Sequence, residues 1–197
     1  MKTNKIKQII SYFFLLNLLF SVELVVNPYL QNATSNSIKI LWETDLNSVS
    51  QVQWGLETNL TQLAEGDSFN NYQNSQIHTV ELSNLEPRTR YYYRVVIGEE
   101  NQFDYSEIYS FITPPEPSSE LPFRLVAMSD MQQDGSNPDK FNEIVNDGVI
   151  DYVSEQYGNN LSEELAMVLV PGDLVTTGTS YYQWQNTFFE PSENLFS

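Results

Sequence analysis

Two carboxylates in the last third of this 197-residue sequence stand where chemistry could be done. An apolar run at 123–128 leads to Ser129 and Asp130, and a second run at 165–170 leads to Pro171, Gly172 and Asp173. Gln132, two residues past Asp130, adds an amide oxygen. Hard and borderline divalent cations favour carboxylate, amide and imidazole donors. A two-metal hydrolase needs one carboxylate that bridges both ions, and further ligands from neighbouring loops to hold them roughly 3.5–4 Å apart. Asp130, Gln132 and Asp173 are therefore candidate metal ligands if their strands are neighbours. Taken singly, each aspartate also reads as an ordinary turn or helix-cap residue, and Asp134 and Asn137 in the same loop read as solvated or capping.

The elements that must position these residues follow from periodicity. A short apolar run without alternation predicts a strand buried on both faces, as in a parallel sheet covered by helices. Ligands of such sheets gather beyond the carboxyl ends of the strands. Asn137-Pro138 predicts a helix start, with Phe141, Ile144, Val145, Tyr152 and Val153 on one face and Gly158 as the stop. Gly148 is a weak point inside it. The result is a strand–helix–strand unit. A second helix is expected from about Ser180, carrying Trp184, Phe188 and Phe189 before Pro191. A two-stranded unit of this kind leaves open edges, so the upstream part is expected to be the more stable.

Residues 24–113 read as all-β. Strands are predicted at 37–43, with Ile38, Ile40 and Trp42 on one face, and at 49–55, 77–82, 91–97 and 108–112. On the 77–82 strand, His78, Val80 and Leu82 share a face; His78, alone among such residues, is expected to be at the surface or half-buried. Several short strands at this spacing predict a β-sandwich. In the stretch Leu85-Glu86-Pro87-Arg88-Thr89-Arg90-Tyr91, alternate positions carry Leu, Pro, Thr and Tyr before a strand begins. This resembles the corner of a fibronectin type III domain, in which Tyr91 would turn the chain and bond back to nearby backbone, with Trp42 as core aromatic. Four prolines within 113–122 then predict a stiff linker.

Composition narrows the function classes. A net charge of -17 disfavours a nucleic-acid backbone or an anionic membrane as partner. The absence of cysteine removes disulfides, thiolate metal sites and cysteine nucleophiles. Lys2, Lys5 and Lys7 precede an apolar stretch at 9–22, which predicts a cleaved secretory leader; the competing reading is an uncleaved anchor, for which the stretch is short. Cleavage after Ser21 leaves six basic against 26 acidic residues, a net charge of -20. The expected location is secreted, periplasmic or extracellular, with no stable membrane span after cleavage. The divisions are a leader at 1–21, a β-sandwich at 22–113, a Pro-rich linker at 114–122 and an α/β part at 123–197.

The segments Met128-Ser129-Asp130-Met131-Gln132 and Val170-Pro171-Gly172-Asp173-Leu174-Val175 resemble the calcineurin-like metallophosphoesterases, and within them the purple acid phosphatase-like group. Asn27-Pro28-Tyr29-Leu30-Gln31 and the Trp42 strand resemble the opening of the fibronectin-like domain that precedes catalysis in that group. The stretch from Tyr182 to Pro191 resembles the helix after the second aspartate. The resemblance implies an all-β fibronectin III-like sandwich followed by the start of an α/β (αββα-type) domain, truncated. It implies two metal ions of the Fe, Zn, Mn or Mg class, with Asp130 as terminal ligand and Asp173 as bridge, acting on a phosphate-ester substrate. Thr176 stands where purple enzymes place an iron-binding tyrosine, so a purple centre is not implied. Gln132 stands where Gly or His is usual, and would bind directly or through water. The family's further histidine-bearing loops have no counterpart before Ser197. The chain is therefore expected to be an N-terminal fragment with no catalytic residues of its own and no turnover alone. The alternative is a binding or adhesion module attached to a relic or catalytically dead α/β unit.

Overall fold

A computed structural model describes residues 21–71, 73–99 and 102–197. The leader expected at 1–21 falls, but for Ser21, outside the described residues. Among the described residues nine strands build the upstream part: β1 (Leu24–Gln31), β2 (Ser37–Thr44), β3 (Gln51–Gly55), β4 (Gln62–Glu65), β5 (Asp67–Asn70), β6 (Gln76–Ser83), β7 (Arg90–Glu99), β8 (Gln102–Tyr105) and β9 (Tyr109–Ile112). They form two antiparallel sheets, one ordered β1-β2-β6-β5 and the other β4-β3-β7-β8, with β9 also paired to β7. This is the predicted sandwich. Its core is the alternating set Ile38, Ile40, Trp42, Val80 and Leu82 from one sheet against Val52, Tyr91, Tyr93, Val95, Ile97 and Phe111 from the other.

Four strands escaped the sequence reading. In β1, Pro28 breaks the alternation; it sits on an edge strand within a register shift between Val26 and Tyr29, where its missing N–H costs no ladder bond. β4, β5 and β8 are short edge strands with no buried residue. Between β4 and β5, Gly66 is required by close approach: a Cβ there would stand 2.1 Å from the Thr79 carbonyl oxygen.

The corner is built as expected. Tyr91, buried at the start of β7, accepts a hydrogen bond from the Glu86 backbone N–H at 2.9 Å on its hydroxyl oxygen. Thr113 Oγ1 closes the same turn by donating to Glu86 O and accepting from Thr89 N–H. Tyr91→Phe strands the Glu86 N–H, and we expect a loss of about 1–2 kcal/mol in urea denaturation, with an unchanged far-UV spectrum. A loss below the error of the measurement would mean that water replaces the phenol.

His78 corrects the sequence expectation. It is fully buried, stacked on Trp42 with ring centroids 4.8 Å apart and planes 8° from parallel. Its face was read correctly, but its depth depends on the opposing sheet, where Ser50 supplies a hydroxyl to Nδ1 at 2.9 Å.

Beyond the linker, β10 (Leu125–Ala127) and β11 (Met167–Leu169) pair in parallel, register Val126 to Val168. They are not buried on both faces: Leu125 is 45% exposed and Leu169 44%. Only Val126 and Val168, the central residues of the two strands, are partly buried. The connecting helix begins at Lys140, later than Pro138, as α1 (Lys140–Asn142), continues through a π-helical section (Glu143–Ile150) and ends as α2 (Asp151–Gln156). Phe141, Val145 and Val153 are buried as expected, whereas Tyr152 is 56% exposed. The wider π-helical turns, which include Gly148, change the angular phase between the two ends of the helix.

A short helix, α3 (Leu161–Glu164), precedes β11. The last helix runs as α4 (Tyr181–Gln183), a π-helical section (Trp184–Phe189) and α5 (Glu190–Phe196), so it passes through Pro191 instead of ending before it. Ser192 Oγ donates to the carbonyl oxygens of Phe188 and Phe189, which offsets bonding capacity lost around a proline. Phe141, Phe188 and Met131 form a second core beneath the strand ends. The two parts touch through Arg90 and Glu163 at 2.6 Å and through the rings of Tyr29 and Phe189 at 5.1 Å.

Candidate functional site

The candidate site lies on the two loops that leave the paired ends of β10 and β11. Parallel pairing forces both chains to exit on the same side. Asp130 and Asp173 then occupy equivalent places, and both adopt left-handed backbone, with φ of 57° and 52°. This region is unfavourable for most L-residues and is tolerated by Asp, whose short polar side chain can bond locally. The other described non-glycine residues with positive φ lie in the sandwich part of the chain. Left-handed conformers at loop tips beside strand ends are a common mark of functional loops.

Hydrogen bonds bind the loops to each other. Gln132 N–H donates to Asp173 O at 3.1 Å, Ser129 Oγ to Gly172 O at 3.2 Å, and Thr176 Oγ1 to Gln133 O at 2.8 Å. The structure therefore brings Gln132 against Asp173, with Asp130 two residues away on the same loop. Asp130 and Asp173 are exposed and Gln132 is partly buried. The Gln132 Oε1 atom is buried without a hydrogen-bond partner. An acceptor left in that state calls for a donor or a cation. Asp134 accepts from the Ser136 and Asn137 backbone N–H groups, which hold its carboxyl below the usual range; it braces its own turn, as expected.

The donor set fits part of the coordination sphere of a hard cation: two carboxylates and one free amide oxygen. It contains no imidazole, since His78 is in the sandwich core. Among the described residues no group of three or more His, Cys, Asp or Glu is placed to hold a metal. A binuclear centre is not assembled from these residues.

Sequence reasoning missed three residues that shape these loops. Lys140 Nζ donates to Asp130 O at 2.5 Å and fixes the first loop to the helix start. Tyr181 reaches from α4 to Glu43 on β2, its hydroxyl donating to Oε1 at 2.6 Å. No periodic signal could have found the last pair. Glu43 follows Trp42 on the opposite face of its strand, and its buried carboxylate meets Asn71, Ser75 and Tyr181.

Among the described residues no helix is long and apolar enough to cross a membrane. Residues 25–113 match the family described as the N-terminal domain of purple acid phosphatase. A purple acid phosphatase of Glycine max is 31% identical over 84 residues, 41% of this chain and 17% of that protein. Purple acid phosphatase 23 of Arabidopsis thaliana is 40% identical over 78 residues, 39% of this chain and 17% of that protein. The chain thus spans about a sixth of the length of the curated relatives it matches. Among solved structures, the sensor domain of the anti-sigma factor RsgI4 in Pseudobacteroides cellulosolvens is similar over 52% of this chain and 99% of that one, at 19% identity and a TM-score of 0.38. The domain match, the two plant relatives and the sandwich with its tyrosine corner agree: over residues 25–113 this chain is purple acid phosphatase-like.

Proposed function

We propose that the chain is the N-terminal part of an exported, metal-dependent phosphoesterase acting on phosphate esters. Asp130 and Asp173 are its share of the metal ligands, and Gln132 is an auxiliary amide donor. The observation that supports this reading best is the pairing of two left-handed aspartates at adjacent parallel strand ends, tied by the Gln132–Asp173 hydrogen bond. The family resemblance implies the bridging role for Asp173 and the terminal one for Asp130, whose carbonyl accepts from Lys140 Nζ. Bound cations would supply charge to stabilise the phosphoryl oxygens and activate the attacking water. The chain's own residues orient the carboxylates and keep Met131, Phe141 and Phe188 packed beneath them. The basic start and apolar stretch at 9–22 support export, and the charge of -17 supports a small phosphate ester over a nucleic acid.

Calorimetric titration of the purified chain with Mn²⁺ tests the assignment. We expect Asp173→Ala to weaken binding roughly tenfold or more, and Asp134→Ala to change it by less than about twofold. Equal affinities in all three proteins would remove Asp173 from the site. They would favour the alternative, a binding module beside a catalytically dead α/β unit.

A further inference from the structure

Glu43 is a carboxylate in the wrong place for an ordinary structural residue. It is 5% exposed, and among the described residues no lysine or arginine pairs with it. Its Oε1 accepts from Asn71 Nδ2 at 2.5 Å, from Ser75 Oγ, and from Tyr181 OH at 2.6 Å. Asn71 and Ser75 flank the turn between β5 and β6, so these donors belong to the sandwich, while Tyr181 belongs to the α/β unit. A buried carboxylate satisfied by three donors on one oxygen is a strong and directional anchor. Burial, and then the hydrogen bond to Glu43, push the Tyr181 phenol up to about 12, so it remains a donor throughout the neutral range.

Tyr181 is the first residue of α4, and the eight residues before it form the loop that begins at Asp173. That loop is laced to the helix start. Thr177 N–H donates to Gln183 Oε1 at 2.7 Å, Trp184 Nε1 to Gly178 O at 2.8 Å, and Ser180 caps Gln183. Thr176 and Asp173 then carry the connection to the Gln132–Gln133 backbone. Hydrogen bonds joined by short stretches of backbone link Glu43 to the two strand-end loops. The second polar bridge between the two parts, Arg90 to Glu163 and Ser162, lands on α3 at the opposite end of β11 and touches neither loop.

We propose that Glu43 is a positioning residue that acts through Tyr181, making the β-sandwich the brace that sets the Asp173 loop for cation binding. This rests on the cation reading above. It gives the N-terminal domain a role beyond folding.

Tyr181→Phe and Glu163→Gln in the full chain separate this role from simple adhesion between the two parts, since the first removes the Glu43 bridge and the second removes the charge that pairs with Arg90 in the other. Amide hydrogen exchange reads the loops and Mn²⁺ titration reads the site. Tyr181→Phe should speed exchange at Thr177 and Gln132, leave Val80 and Val95 protected, and weaken Mn²⁺ binding about fivefold. Glu163→Gln should change neither readout. The proposal is overturned if the two variants behave alike, or if Tyr181→Phe leaves loop exchange and affinity unchanged. Should the unmodified chain bind no Mn²⁺, the cation reading fails and with it the link to binding, while faster loop exchange in Tyr181→Phe alone would still establish the brace.

Discussion

Trp42→Ala should cost the sandwich about 3–5 kcal/mol and lower its melting temperature by on the order of 20 °C. Trp42 is fully buried in the second half of β2 and belongs to the core that the two sheets share. The expected loss has two sources: the apolar surface returned to water and the cavity left among Ile40, Val80 and Tyr93, which β-sheet backbones cannot close. Trp42→Phe should cost far less. It keeps a ring against His78 and also removes the indole N–H, which is buried without a partner. Chemical denaturation of both variants checks the ordering; equal losses would show that the ring's volume is not what matters.

Acid should remove about 3 kcal/mol of stability through His78 alone. Thr44 Oγ1 donates its proton to Leu46 O at 2.7 Å, so it must accept from His78 Nε2–H at 2.9 Å. Ser50 then donates to the bare Nδ1. Protonation would turn the Ser50 hydroxyl from donor to acceptor and bury a positive charge. Burial lowers the ring's pKa from 6.5 to about 4. The unfolded chain therefore binds a proton below pH 6.5 while the native state does not. Stability from this group is complete above pH 6.5, falls as pH drops towards 4, and levels off below 4. His78→Phe keeps the stack on Trp42 and removes the titration. The difference between native and variant stability across pH 4–6.5 isolates the histidine, because the many carboxylates contribute to both proteins. A difference that is flat with pH would sink the assignment. Because the two rings touch, Trp42→Ala should also let water reach His78 and flatten the same slope.

Most of the sandwich was legible in the sequence because alternation is a local code. Ile38, Ile40 and Trp42 announce their face without reference to anything distant. The leucine, proline, threonine and tyrosine spacing before β7 likewise fixes a corner within a few residues. β1 was missed because Pro28 is excluded from regular ladders, and only its edge position with a register shift makes it acceptable. The strand-end aspartates were legible as a pair, since two apolar runs each ending in a carboxylate is a pattern along the chain. Their left-handed backbone and the loop-to-loop bonds were not, because these depend on β10 and β11 being hydrogen-bonded neighbours.

The sequence by itself determined the order of parts, the faces of the main strands and the two aspartates at the ends of apolar runs, because each is set by residues a few positions apart. Only the tertiary structure decided the burial of His78, the exposure of Leu125 and Leu169, and the joining of Glu43 to Tyr181. Those depend on which surfaces meet. Glu43 and Tyr181 are 138 residues apart in the chain, and no local pattern encodes that this phenol will meet a carboxylate on β2.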